Sequence, residues 1–147
     1  MAVPFPPAAA RDYLLSQTEF LDLVSPRNVS SRDYPDEITE PFVLITASTN
    51  AGPDPVVNKP LVRITTKVPK LEVLGGTVDP EELAWDITSV ARDLLSRARN
   101  VPFRNCAWTG HWVNGPSVLP VDKTRGVDFP LYGATCQIEF AMKVNRT

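Results

Sequence analysis

The sequence contains few of the residues that catalytic and metal sites most often use. Among its 147 residues are one histidine, His111, and two cysteines, Cys106 and Cys136. A closed zinc site takes four ligands, mostly cysteine and histidine, so these three residues do not supply one without carboxylates. A nucleophilic triad would have to converge on His111 from distant parts of the chain. We therefore expect no enzyme, no metal and no cofactor, and we interpret His111 as a strand residue that faces solvent or an interface.

Glycine is also scarce, with seven residues in the chain. Gly75 and Gly76 precede a predicted helix, where an anion could bind, but no glycine-rich repeat and no following lysine accompany them. A plain turn is the preferred interpretation. The paired carboxylates Asp36–Glu37 and Glu81–Glu82 belong to a polar connector and to a helix N-terminus, respectively, so they do not indicate acid–base catalysis.

An excess of positive charge is absent, because the net charge is −2 and the sequence pI is about 5.4. This balance argues against a dedicated nucleic-acid-binding protein. No apolar run approaches the roughly 20 residues that span a bilayer, and the first ten residues lack a secretory pattern, so we expect no membrane association and a cytoplasmic protein. In that compartment two reduced core thiols are preferred to a disulfide between Cys106 and Cys136.

The overall composition is that of a globular protein, with 43% hydrophobic and 22% charged residues. A chain of this length fits one domain, residues 1–147, and can bury roughly 70% of the surface of its unfolded form. Proline is abundant at fifteen residues. The prolines cluster in a predicted N-terminal arm, residues 1–7, and in two predicted long loops, residues 49–60 and 114–130.

The clearest pattern is the C-terminal stretch Leu131–Val144, in which apolar residues occupy every second position from Tyr132 to Val144. Successive side chains of a strand point to opposite faces, so this pattern predicts a long strand with one buried face. A sheet that is covered on one side only is typically antiparallel.

Shorter patterns complete the prediction. Helices are predicted over residues 8–24 and 79–99, the second with Asp79 as N-cap and Pro80 at its first position. Further strands are predicted over residues 42–48, 61–68 and 106–113. The sequence thus predicts an α+β fold in which an antiparallel or mixed sheet of about four strands carries two helices on one face, with long proline-rich loops.

One local basic series runs through the second of these strands, at Lys59, Arg63, Lys67 and Lys70. Arg63 and Lys67 fall on the same face. Contact with nucleic acid or with an acidic partner is one interpretation, and a solvated strand face is the other. No aromatic residues are interleaved on this face, so base stacking is not indicated.

The order of these elements resembles the tail terminator proteins of long, non-contractile-tailed bacteriophages, and the resemblance covers nearly the whole chain. It depends on an opening helix with Arg11, Tyr13, Leu14 and Leu15, then Leu23, Val24 and Arg27, on strands at residues 41–48 and 60–68, on the helix at residues 79–99, and on the late Asp128 and Tyr132 before the alternating strand. Proteins of this family are small α/β subunits that close the head-proximal end of the tail tube.

The resemblance implies a structural virion protein that forms a homo-oligomeric ring, a hexamer in the family. The ring would stack on the tail tube protein, end tube elongation, and offer a surface to a neck or head-completion protein. Genomic DNA would pass through the lumen without sequence recognition. The protein would be assembled in the host cytoplasm and reside at the head-proximal end of the tail.

Residue assignments follow from this expected role. Arg63, Thr65 and Lys67 are the predicted subunit-interface or lumen residues. The predicted partner-binding residues of the two long loops are Asn50, Asp54, Asn58, Asp122, Lys123 and Arg125. Two alternatives stay open: another neck component, such as a head-completion or connector protein, and a small cytoplasmic enzyme or ligand-binding domain with a pocket of convergent polar groups.

Overall fold

The fold is built on one twisted sheet, seen in a computed structural model that describes residues 4–48 and 57–144. Within these ranges the helices are α1 (Pro6–Leu15), α2 (Thr18–Leu21), α3 (Leu71–Leu74) and α4 (Pro80–Arg97), with a 3-10 helix at Pro26–Asn28. The strands are β1 (Val29–Ser30), β2 (Phe42–Ala47), β3 (Val57–Asn58), β4 (Leu61–Pro69), β5 (Val101–Phe103), β6 (Cys106–Asp122) and β7 (Leu131–Val144).

The sheet has the strand order β1-β2-β4-β7-β6-β5, and β3 pairs with β7 beside this path. All of its pairings are antiparallel except that of β1 with β2. The predicted α+β class is confirmed, but the predicted number of about four strands is wrong because the structure has seven. The three missed strands are two or three residues long, too short for a period of two to be read.

The alternating pattern of β7 is confirmed from Ala134 onward, whereas Tyr132 is half-buried and its neighbours Leu131 and Gly133 are buried. From Ala134 to Val144 every second side chain is buried, and Trp108 of β6 stacks on Phe140 with ring centroids 4.3 Å apart. Residues of α1, α2 and α4 join the same core, so these three helices cover one face of the sheet, where two helices were predicted. None of the helices in residues 4–48 and 57–144 packs on the opposite face.

The predicted helix over residues 8–24 is wrong in its extent. Helix α1 ends at Leu15, where the Ser16 hydroxyl donates to the Tyr13 carbonyl at 2.6 Å, and the extended backbone of Gln17 separates it from α2. Leu14 and Phe20 are both fully buried. Six residues apart, they would face different sides of one straight helix, so the break allows both to reach the core. The predicted arm is also shorter, because α1 begins at Pro6.

The predicted loop over residues 114–130 is corrected to residues 123–130. Strand β6 continues to Asp122 beside β7, with register shifts between Asn114 and Ser117 and between Leu119 and Asp122. Pro116 and Pro120 lie within these irregular stretches. Proline is tolerated at bulges and sheet edges because it cannot donate a ladder hydrogen bond, so these prolines mark bulges and do not end the strand.

Helix α4 begins as predicted. Asp79 is its N-cap, with Oδ1 accepting from the Glu81 amide at 3.1 Å, and Pro80 follows at the first position. The helix ends at Arg97, two residues before the predicted end. A buried polar contact joins it to the sheet, since the Thr88 hydroxyl donates to the Thr66 hydroxyl at 2.9 Å.

Two further expectations concern the cysteines and the membrane. Cys106 and Cys136 are free and buried, in agreement with the expected core thiols. Of the helices in the described ranges, none has the length and apolar character needed to cross a bilayer.

Candidate assembly surfaces

The face of the sheet opposite the helices is polar in its middle rows, which are ordered by hydrogen bonds. At one end, Tyr34 and Ile38 of the connector between β1 and β2 (residues 31–41) pack with Phe42 and Leu131. Arg63, Gln137 and Asn114 occupy one row across β4, β7 and β6. Asn114 Nδ2 donates to Gln137 Oε1 at 2.8 Å, and the Arg63 side chain is exposed. In the next row the Thr135 hydroxyl donates to the Ile64 carbonyl at 3.1 Å and lies 3.3 Å from the Thr65 hydroxyl. This face can offer amide, hydroxyl and guanidinium groups to a neighbour.

The three residues that were predicted for this face, Arg63, Thr65 and Lys67, differ in their exposure and contacts. Arg63 is exposed and Thr65 is half-buried. The Lys67 side chain is 12% exposed, and its Nζ lies 3.7 Å from Asp122 Oδ2. Gly133 is opposite Lys67 in β7, and a Cβ atom there would lie 3.2 Å from Lys67 Cδ. Lys67 therefore lies over a position that has no side chain, and the cations that this face presents to solvent in the described residues are Arg63 and Lys143.

The predicted partner residues of the loops fall in different environments. Asn50 and Asp54 lie outside the described residues, as do residues 49–56 of the predicted first loop. Asn58 is part of β3, so the predicted loop over residues 49–60 does not reach its predicted end. Lys123 is exposed at the start of the corrected second loop.

Asp122 and Arg125 have structural contacts within the subunit. The Thr124 amide and hydroxyl donate to Asp122 Oδ1 at 2.9 and 2.7 Å and hold the pKa of this carboxyl below its usual value. The Arg125 guanidinium donates to the carbonyls of Pro35, at 2.7 Å, and Asp36. These bonds tie the corrected loop to the connector before β2, so neither side chain is wholly available to a partner.

An apolar edge on β6 was not predicted from the sequence. Strand β5 pairs with β6 only as far as Trp108, and no other described strand pairs with that side of β6. At Gly110 the edge is covered, because its amide donates to the Ala98 carbonyl at 3.1 Å and its carbonyl accepts from Arg99 at 2.9 Å. Beyond it, four large apolar side chains are 41–58% exposed: Trp112, Val113, Val118 and Val121. We call residues 111–121 the β6 edge.

A signal for this edge was present in the sequence. Residues 111–121 include no Asp, Glu, Lys or Arg. Edge strands are commonly protected from association by such charges, lysine above all. The prolines of the segment led to its interpretation as a loop, although it is a strand without charged side chains. Pro116, Pro120 and the register shifts interrupt parts of its edge.

The β6 edge is held in a fixed shape at Gly115. Its φ is +86°, and a Cβ atom would lie 2.6 Å from the backbone of Cys136. Its carbonyl accepts a hydrogen bond from Trp112 Nε1 at 2.8 Å. The close crossing over β7 therefore fixes the exposed indole of Trp112 against its own strand.

A second surface is an open cleft of about 660 Å³ between α1, the connector that follows the 3-10 helix, and the β5–β6 turn. We call it the arginine cleft, because Arg11, Arg27, Arg32 and Arg104 are among its lining residues. Asp12 and Asp33 line it as well, and Tyr34, Phe42 and Phe103 add aromatic surface.

A third feature is a smaller apolar cavity of about 300 Å³ between the connector, the end of β4 and residues 125–131. Two of its polar groups have partners within the subunit: the Lys70 ammonium lies 5.9 Å from the centre of the Phe129 ring, and Arg125 is bonded to carbonyl groups. Asp36, Glu37 and Thr39 also line the cavity.

The described part of the chain shows little that indicates a nucleophile, a catalytic histidine or a metal site. His111 is exposed and paired across the sheet with Glu139. Burial raises the pKa of Cys106, and raises that of Cys136 to about 12, so both thiols are protonated at neutral pH and are poor nucleophiles. Within residues 4–48 and 57–144, no group of three or more His, Cys, Asp and Glu side chains could hold a metal ion.

Comparison with known proteins adds no relative to this description. No protein-family model, no curated protein and no solved structure matches the chain.

Proposed function

We propose that this protein is a structural subunit of a bacteriophage tail, a tail terminator that assembles into a ring, most simply a hexamer. The ring caps the head-proximal end of the tail tube, ends its elongation and provides the surface for joining to the head-completion proteins. The subunit has no catalytic role in this proposal. It is assembled in the host cytoplasm and resides in the virion.

The observation that carries the proposal is the β6 edge. An unpaired strand with exposed apolar side chains and no charged residue favours pairing with another chain. Monomeric proteins seldom leave large apolar patches exposed, and such patches commonly mark protein interfaces. A subunit that spends its working life in contact with copies of itself accounts for this edge better than a monomeric enzyme does.

In a ring, the β6 edge and the polar face can each be assigned to a contact or to the lumen. Cyclic assemblies use heterologous contacts, in which one patch of each subunit meets a different patch of the next. In the proposal the β6 edge belongs to one such contact. The polar uncovered face, with Arg63 and the row of Thr65 and Thr135, is then assigned to the lumen wall or to an adjoining contact.

The lumen assignment agrees with the chemistry of that face. DNA sliding through a ring needs a wall without strong fixed binding, because phosphate contacts increase affinity with each neutralised charge. Lys67 is paired with Asp122, so Arg63 and Lys143 are the cations of this face that stay exposed among the described residues. The Glu139 carboxylate and His111 lie between them, and amides and hydroxyls supply much of the remaining surface.

A tube-capping assay tests the proposed function. Tail tube protein from the same phage is polymerised with and without the purified chain, and tube lengths are measured by electron microscopy. Tubes that become shorter, with a ring at one end, support the proposal. Tubes of unchanged length with bare ends contradict it and favour another neck component.

The contribution of the β6 edge is tested with the double variant Val118→Lys/Val121→Lys, which places two charges on the strand. We expect this variant to fold and to lose capping. The matched control is Val127→Lys, because Val127 is the most exposed of the large apolar side chains, at 82%, and lies in the loop after β6. Equal capping by both variants would remove the β6 edge from the interface.

A further inference from the structure

The arginine cleft offers two guanidinium groups that have no acidic partner among the described residues. Arg11 Nε donates to the Val29 carbonyl at 2.8 Å, and Arg27 is paired with Glu40 at 2.8 Å. The Arg32 guanidinium makes no hydrogen bond or ion pair with any residue of the described ranges. The Arg104 guanidinium lies 4.7 Å from the ring of its neighbour Phe103 and also has no acidic partner there.

The first turns of α4 present the complementary surface. Glu81, Glu82 and Asp86 are exposed, and none of them forms an ion pair within the described residues. Trp85 is 41% exposed among them. Residues three and four apart are neighbours on a helix, so Glu82, Trp85 and Asp86 form one patch. We call it the acidic patch.

We propose that the arginine cleft of one subunit binds the acidic patch of the next copy of this chain. The assignment rests on the proposed ring and names a contact within it. The two surfaces share no residue, as a heterologous contact requires. Arginine and tryptophan are the residues most often found at the energetic centres of interfaces, and here they occur on opposite sides of the same contact.

The chemistry of the cleft favours this occupant over DNA. A groove for the phosphate backbone is expected to be uniformly positive, but Asp12 and Asp33 lie among the arginines. A continuous run of phosphates would meet both carboxylates, whereas a compact group of two carboxylates can contact Arg32 and Arg104 alone. A partner that carries carboxylates next to an aromatic ring matches both components of the cleft. The carboxylates meet Arg32 and Arg104, and the indole meets the aromatic lining of Tyr34, Phe42 and Phe103 or lies under a guanidinium as a cation–π partner.

Charge reversal at each surface gives a test in which assembly itself reports folding. The cleft variant is Arg32→Glu/Arg104→Glu, and the helix variant is Glu82→Lys/Asp86→Lys. Each variant alone opposes like charges at every contact, and we expect its ring population to fall about tenfold or more, since like charges at an interface cost several kcal/mol. Ring mass is measured by native mass spectrometry or sedimentation, with tube ends present if the wild type needs them.

An equimolar mixture of the two variants is the decisive sample. In an alternating ring, every reversed cleft meets a reversed helix, and every native cleft meets a native helix. We therefore expect the mixture to restore a sixfold species that contains three copies of each variant. The four-substitution chain that combines both variants should also assemble, because all its contacts are again complementary.

Controls separate the possible failures. Lys59→Glu changes the charge of an exposed residue outside both surfaces and should assemble as the wild type does. Arg32→Gln removes one charge without reversal and should weaken assembly by a smaller factor, which keeps the test valid if a reversed variant does not fold. A wild type that forms no ring under any condition contradicts the proposed function itself.

Three results would overturn the assignment of the cleft without contradicting the proposed wild-type ring. One is normal assembly of each variant alone. A second is a mixture that stays dispersed although circular dichroism shows both variants folded. The third is a cleft variant that assembles normally but loses retention of double-stranded DNA, which would identify the cleft as a nucleic-acid surface.

Discussion

At the scale of single residues, Gly115 is the position where backbone and packing requirements coincide. Its φ of +86° is matched by that of Gly76, at +82°, but only Gly115 lacks room for a side chain, because a Cβ atom at Gly76 would meet nothing within 4 Å. The two glycines therefore separate the cost of a left-handed backbone from the cost of a steric clash.

We expect Gly76→Ala to lower the free energy of unfolding by about 1–2 kcal/mol, the usual cost of a left-handed conformation for a residue with a Cβ. Gly115→Ala should cost clearly more, because the new methyl group also collides with β7. Urea denaturation of both variants measures the difference. Equal losses would mean that the crossing of β6 over β7 is looser than described.

A second prediction at this scale concerns pH. The pKa of Cys136 rises from 9.0 in the unfolded chain to about 12 in the fold because the thiol is buried. The buried, protonated thiol contributes fully to the free energy of unfolding below pH 9. This contribution is lost as pH rises from 9 toward 12, because the thiol of the unfolded chain releases its proton at lower pH than the buried thiol does. Burial also raises the pKa of Tyr34 to about 12, which adds a loss above pH 10.

Urea midpoints measured between pH 7 and pH 10 test this linkage. The midpoint should fall above pH 9 in the wild type. Cys136→Ala should be less stable at every pH, because it leaves a cavity, but its decline above pH 9 should be shallower. An identical decline in both proteins would show that Cys136 does not titrate with unfolding.

At the scale of the elements, the otherwise apolar contact between α4 and the sheet includes one buried hydroxyl pair. Thr66 and Thr88 are fully buried, and their hydroxyl groups lie 2.9 Å apart. The Thr88 hydroxyl also lies 3.5 Å from the Ala134 carbonyl, a longer contact than that with Thr66. A buried polar group that loses its partner costs about 1–3 kcal/mol, whereas replacing both partners with apolar groups of the same shape can be nearly neutral.

A double-mutant cycle with valine follows directly. We expect Thr66→Val and Thr88→Val each to lower the free energy of unfolding by about 1–3 kcal/mol, and the double variant to recover much of the loss. Thermal or urea unfolding of the four proteins gives the coupling energy. Additive losses would indicate that the two hydroxyls are satisfied independently.

The elements also show how far sequence reasoning extends. Helix α4 and strand β7 were predictable because the apolar residues of each repeat regularly over many positions. Helix α4 also has a recognisable N-cap at Asp79. The division of α1 from α2 was not, because it depends on where Leu14 and Phe20 find space in the core. Residues 114–122 were misassigned because the partner strand β7, and not local turn chemistry, determines that they extend.

Some residues of the candidate surfaces could likewise be predicted from the sequence, and others could not. Arg63 could be placed on the uncovered face from the alternation of β4 alone. The pairing of Lys67 with Asp122 could not, since it depends on Gly133 in a third strand. The arginine cleft joins residues of α1, the connector and the β5–β6 turn, which are separated by up to about a hundred positions in the sequence, so no local pattern could have indicated it.

At the scale of the whole molecule, the described surfaces share one property: they are unsatisfied within a single subunit. The β6 edge has exposed apolar side chains, and the arginine cleft includes two arginines, Arg32 and Arg104, without an acidic partner among the described residues. The acidic patch has the reverse charge. Separate surfaces of this kind are what a ring of identical subunits uses. A self-sufficient monomer would leave all three without a role.

The most direct test of this account is the native mass of the purified wild-type chain over a wide concentration range, alone and with tail tube ends. If the chain forms the proposed ring, a sixfold species is expected in at least one of these conditions, and the tube ends should increase its population. A protein that remains a monomer at every concentration and does not bind tube ends would contradict it.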